Sequence, residues 1–259
     1  MKISSVKVQL SIFLAVFGLY LSFLGRDFLL LKGIVLALLF TVSTDTLISY
    51  IKNKKLVITE SSLVSGLIIG YVLSSDLEWW VIGLAGVLAI ASKHFIRFRE
   101  RHIFNPAALG IFLTTLSLAV FTQWKAAYTW YIIVPAGVYF TLKIRKFDIV
   151  LSYFVVSVIL YGIQAMMHGA SLINILGYLN YFFIFIMLIE PRTTPFSRTG
   201  KILFGAGVAS LTFLFYERSV RLEVELAALL CFNILNMFLN KITLHFSDTQ
   251  PSVKLKGGL

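Results

Sequence analysis

A cationic run containing Lys93, His94, Arg97, Arg99, Arg101 and His102 leads straight into Phe104-Asn105-Pro106-Ala107-Ala108-Leu109-Gly110. Asparagine is a good helix N-cap and proline a good first helical residue, so Asn105-Pro106 marks a helix starting at a positively charged surface. The free backbone N–H groups of such a start attract anions, so the pair is open to two roles, capping alone or capping with an anion contact. Asp45 lies in Thr41-Val42-Ser43-Thr44-Asp45-Thr46, inside a long apolar stretch. A charge there costs about 2.5–3.5 kcal/mol on insertion scales and faces a cavity or a partner. Asp45 is therefore a candidate cation site, with Thr44 and Thr46 as neutral oxygen neighbours, or one half of a structural pair. Glu60 and Glu190 fall near the ends of apolar stretches, where each is either solvated beside Lys55 or Arg192 or part of an ion pathway.

The elements that must position these groups are set by composition. Of the 259 residues 58% are hydrophobic and 14% charged, with a mean hydropathy of +0.88, against about 25% charged in soluble domains. This is the signature of an all-α polytopic membrane protein. A span needs roughly 20 apolar residues, which predicts about ten transmembrane helices in a single transmembrane domain over 1–259, with no soluble domain. The spans are expected near 8–24, 29–51, 61–74, 79–96, 105–121, 129–143, 149–164, 175–190, 200–216 and 222–240. The first follows Lys2 and Lys7 and lacks a small-x-small cleavage pattern, so it reads as a retained signal anchor.

Alternating the loops puts 18 of the 23 Lys and Arg residues on one side and five on the other. Cytoplasmic loops hold such an excess, which places both termini in the cytoplasm of a cell-membrane protein. The net charge of +11 is thereby explained by topology and anionic lipid contact. No basic domain or recognition motif supports nucleic-acid binding.

Ten spans divide into two halves of five, about 1–124 and 125–259, and an odd number per half inverts the second half relative to the first. Two echoes agree. Ile82-Gly83-Leu84-Ala85-Gly86 matches the texture of Phe204-Gly205-Ala206-Gly207, and Phe104-Asn105 matches Phe232-Asn233. Spans three and eight are then equivalent. Span three opens with Thr59-Glu60-Ser61-Ser62-Leu63-Val64-Ser65-Gly66, and span eight ends in Glu190-Pro191-Arg192-Thr193-Thr194-Pro195. Short or proline-interrupted segments in matching positions point to a site within the membrane.

Ser61-Ser62-Leu63-Val64-Ser65-Gly66-Leu67, Trp79-Trp80-Val81, the basic loop with Phe104-Asn105-Pro106-Ala107-Ala108, then Glu190-Pro191 and Gly200-Lys201-Ile202-Leu203-Phe204-Gly205 resemble the NqrB/RnfD family. These are ten-helix membrane subunits of sodium-pumping NADH:quinone oxidoreductase and Rnf complexes. The family usually has Asp where this chain has Glu190. The resemblance implies a flavoprotein subunit of a redox-driven complex that moves Na+ or H+ and works with other membrane and soluble subunits. Family members commonly hold FMN on a Ser or Thr of an Asp-x-x-Ser/Thr-Gly-Ala-Thr/Ser stretch after span seven. The matching stretch is Ala165-Met166-Met167-His168-Gly169-Ala170-Ser171. Gly169, Ala170 and the Ser171 hydroxyl are present, whereas Ala165 replaces the Asp and His168 the first hydroxyl. Ser171 is thus a covalent FMN site or part of a plain turn. Noncovalent flavin would use the polar helix ends at Ser62, Ser65, Asn105, Pro106, Thr193 and Thr194, with Asp45 and Glu190 on the ion pathway. A carrier or channel of the same architecture without a redox centre, and a cofactor-free assembly subunit, are the competing readings.

Metal chemistry finds no support. The lone Cys231 cannot form an internal disulfide or a four-Cys cluster, and His94 and His102 read as membrane-surface residues, not as a ligand pair. Trp79, Trp80, Trp124 and Trp130 are expected at the outer membrane interface.

Overall fold

The computed structural model describes residues 5–98, 101–169, 171, 175–220 and 222–248. It is an all-α polytopic membrane protein. In chain order the helices are α1 Val6–Leu24, α2 Phe28–Asn53, α3 Glu60–Val72, α4 Trp79–Phe95, α5 Pro106–Leu118, α6 Trp130–Lys143, α7 Phe147–Met167, the short α8 Ile175–Tyr178, α9 Arg198–Glu217 and α10 Val224–Asp248. A π-helical segment, Phe183–Met187, lies between α8 and α9. Helices α1, α2, α7 and α9 are each long and apolar enough to cross a bilayer alone.

Three departures from the expected spans have physical causes. The eighth span is not one helix, because α8 stops at Tyr178 and the chain rewinds from Tyr181 into the π-helical segment. The tenth helix runs past 240, since hydropathy reports where a membrane span ends and not where a helix does. The basic loop is an antiparallel hairpin, β1 Arg97–Phe98 paired with β2 Arg101–His102.

Helix α2 packs on α4 and α4 on α5, and α7 packs on α9 and α9 on α10. Lipid tails are as apolar as leucine, so helices in a bilayer associate through close packing and not through a hydrophobic drive. Gly66 and Gly70, one turn apart on α3, provide it. A Cβ at Gly70 would stand 2.6 Å from the Ile34 Cα of α2. Helix α3, at 13 residues, is about 20 Å long and too short to span. The segment after α5 meets its end, where Gln123 and Lys125 donate backbone N–H groups to the Val72 and Tyr71 carbonyls.

The α1–α5 helices meet the segment around Phe182 and Phe183 in an aromatic core. Tyr71 is fully buried, donates to the Leu14 carbonyl at 2.6 Å, and its ring stands 5.4 Å from that of Phe182. Trp124 packs edge-on to Phe182 and Phe183. It is therefore partly buried against the core, unlike the exposed Trp79, Trp80 and Trp130, and its backbone is left-handed (φ 45°).

Candidate functional site

Two groups of polar residues lie at opposite ends of the bundle. At the basic end Asn105 caps α5 as expected, its Oδ1 accepting from the Ala108 N–H at 3.2 Å, with Pro106 in the first turn. Its Nδ2 donates to the Met187 carbonyl at 3.0 Å and its backbone N–H donates to Asn233 Oδ1 at 2.9 Å. In a regular helix the Met187 carbonyl would accept from residue 191, but Pro191 has no N–H to give. The Asn105 amide replaces it. With Asn105 only 3% exposed, this helix start is turned to the interior.

Beside it lies a cavity of about 80 Å³ between α1, α3, α5, α6 and the π-helical segment, lined among others by Ser65, Asn105, Pro106, Glu190 and Pro191. The structure thus brings Ser65, Asn105 and Glu190 together although they lie far apart in sequence. Glu190 Oε1 pairs with His102 Nε2 at 3.0 Å, and Oε2 is buried without a hydrogen-bond partner. The partner expected from sequence was Arg192. His102 is 3% exposed and so is no surface residue, because the hairpin folds it under the 190–195 turn.

Ser62, Thr193 and Thr194 are buried nearby. Ser62 donates to the Thr59 carbonyl, Thr194 donates to the Glu190 carbonyl at 2.8 Å, and the Thr193 carbonyl accepts from Asn236 at 2.9 Å. These contacts are internal to the chain. The turn is fastened by Lys146, whose Nζ donates to the Pro195 carbonyl at 2.7 Å. Burial, with Lys201 and Arg101 close by, pushes the Lys146 pKa down to about 8.

Asp45 is fully buried. Its Oδ1 meets Lys93 Nζ at 3.0 Å and His94 Nε2 at 2.7 Å, and its Oδ2 accepts from the Thr59 hydroxyl. The hydroxyl beside it is Thr59, not Thr44 or Thr46. His94 is thus a carboxylate partner and not a surface group. A cation and an imidazole one helical end away, facing a lone buried acid, are the sequence signal that could have revealed this cluster.

At the opposite end the chain leaves α7 through Gly169, whose left-handed φ of 67° requires little of glycine and would strain other residues. Ser171 is exposed. Ala170 lies outside the described residues. A second cavity, about 440 Å³, opens beside this turn and is lined by Tyr161, Ala165, His168, Thr212, Tyr216 and the carboxylates Glu223 and Glu225. The Tyr161 and Tyr216 rings are 6.1 Å apart, near edge-on. Asn180 joins this end to the rewound segment, donating to Glu225 at 2.8 Å while its Oδ1 accepts from the Phe183 N–H at 3.0 Å.

Residues 2–136 match the model of the NQR2, RnfD, RnfE family. That stretch is just over half of the chain and contains the Asn105-Pro106 helix start, while Ser171 and Glu190 fall outside it. No curated protein matches the chain.

Proposed function

The chain belongs to the NQR2, RnfD, RnfE family, and from that premise we propose that it is the integral membrane subunit of a redox-driven, ion-translocating electron transport complex that holds FMN at the end of the bundle opposite the basic loops. The observation that carries this reading is the 440 Å³ cavity beside the Gly169–Ser171 turn. Its volume falls in the range of about 300–1,000 Å³ usual for small-molecule sites, and its His168, Tyr161 and Tyr216 rings suit a flat heteroaromatic ring. Glu223 and Glu225 oppose a phosphate inside the cavity, and the hydroxyl suited to carry it, Ser171, stands exposed outside. Bound flavin would supply electron transfer. The chain itself supplies the turn, the aromatic walls and the burial.

Ions, Na+ or H+, enter on this reading at the basic end, where the smaller cavity offers the unpaired Glu190 oxygen and has room for water or an ion. The described residues contain no soluble domain, so electrons arrive from partner subunits. The basic end with both termini faces the cytoplasm, following the charge bias.

An intact-mass spectrum of the purified chain, with visible absorbance before and after denaturation, tests this. An FMN-sized adduct that maps to Ser171 and is lost in Ser171→Ala supports the outer site. Flavin released on denaturation supports a noncovalent site in the same cavity if Tyr161→Ala lowers its content. A folded chain without flavin, after growth with ample riboflavin and partner co-expression, overturns the flavin reading and favours a carrier or cofactor-free subunit.

A further inference from the structure

We propose that Lys93 is a tethered cation: its ammonium occupies the Asp45 site in place of a mobile monovalent ion and locks α2, α3 and α4 together. The inference stands apart from the flavin reading, because it rests on different residues at the other end of the bundle. Lys93 Nζ lies 3.0 Å from Asp45 Oδ1 and 2.8 Å from Thr59 Oγ1, a carboxylate and a hydroxyl of the kind that would ligate an alkali cation. The Thr59 hydroxyl in turn donates to Asp45 Oδ2, which closes a ring of three side chains. His94 takes a further contact on Oδ1 at 2.7 Å. Both carboxylate oxygens are therefore engaged, and neither neighbouring helix residue, Thr44 or Thr46, is needed.

The three groups come from three elements, Asp45 from α2, Thr59 from the N-cap of α3, and Lys93 from the last turn of α4. Thr59 also accepts from the Ser62 N–H at 3.3 Å, so the ammonium fixes where α3 begins. That helix supplies Ser61, Val64, Ser65 and Ile68 to the smaller cavity. A buried carboxylate without a counter-charge is unstable, and a covalently attached one cannot diffuse away. The site is thus filled regardless of the salt outside, and ions crossing the bundle must use other groups. Lys93 and His94 are 10% and 15% exposed, so truncating Lys93 opens Asp45 toward the basic surface.

The test compares thermal unfolding of the full chain in Na+ and in choline at equal ionic strength. The wild type is expected to show no Na+-specific shift. Lys93→Ala leaves Asp45 uncompensated, and Na+ should raise its unfolding temperature by several degrees over choline, with the gain absent in Asp45→Asn/Lys93→Ala. If Lys93→Ala can be purified only in Na+, the proposal stands. It is overturned if Lys93→Ala is insensitive to Na+, if it fails to fold in either salt while the double variant folds, if both fail, or if the wild type itself shows an Asp45-dependent Na+ shift.

Discussion

Asn105 gives its side-chain amide to the Met187 carbonyl at 3.0 Å, the carbonyl that Pro191 leaves without a donor. The start of α5 and the interrupted segment around 183–191 are therefore one structural unit. Asn233 completes it by accepting the Asn105 backbone N–H, so the two Phe-Asn echoes noticed in the sequence touch in space. A proline in a membrane span is tolerated where a neighbouring group satisfies the carbonyl it orphans, and here that group is also a helix cap.

The coupling can be measured by a double-mutant cycle. Asn105→Ala removes both the cap and the donor and should destabilise the chain by about 2–4 kcal/mol, about 1 for the cap and 1–3 for an unsatisfied buried carbonyl. Pro191→Ala restores an N–H that can reach Met187. In that background the Asn105→Ala penalty should shrink to roughly the cap's share, about 1 kcal/mol. Equal penalties in both backgrounds, read from thermal unfolding in detergent, would refute the substitution of one donor for the other.

Close helix packing on α3 gives a second prediction. A Cβ at Gly70 would meet Ile34 Cα at 2.6 Å, a backbone-bonded atom that cannot swing aside. Gly70→Ala should therefore cost about 1–3 kcal/mol through overpacking. Gly177→Ala, where nothing lies within 4 Å, should leave the unfolding midpoint nearly unchanged.

Most of the helix order was legible because hydropathy and cationic loops report spans directly, and the Asn-Pro cap at 105 reports a helix start with its own local chemistry. The rewound segment 183–187 was not legible, since its winding depends on a donor from Asn105 and an acceptor from Asn180 that lie far along the chain or across a break. The clustering of Ser65, Asn105 and Glu190 could be suspected from matching interrupted spans. The pairings of His102 with Glu190 and of Lys93 and His94 with Asp45 required the hairpin and the α2–α4 contact. Trp124 misled because an interfacial residue type is partly buried against Phe182 and Phe183.

At the α1–α2 turn Lys125 Nζ donates to Asp27 Oδ2 at 2.7 Å, joining that turn to the segment before α6. The hydrogen bond from Lys125 holds the Asp27 pKa below its ordinary 3.8. The stabilisation is present above that value and is lost as pH falls through the lower folded-state value, because there the unfolded chain binds the proton first. Both side chains are more than a quarter exposed, so the contribution should be below about 1 kcal/mol. Lys125→Met should flatten the acid limb of a stability–pH curve, and an unaltered limb would show that the pair contributes nothing.

Lys146 gives a slope of the same sign at the other end of the pH scale. Its pKa is about 8 in the folded chain against an ordinary 10.5, so between those values the unfolded chain binds a proton that the folded chain lacks. Stability should therefore rise with pH across that window, by up to about 2–3 kcal/mol, and stay flat below it. Lys146→Met should abolish the rise. Lys201→Gln removes one of the neighbouring charges that depress Lys146 and should move its onset to higher pH. Thermal unfolding followed from pH 7 to pH 10 in the three chains decides this, and a rise that persists in Lys146→Met would assign it to another group.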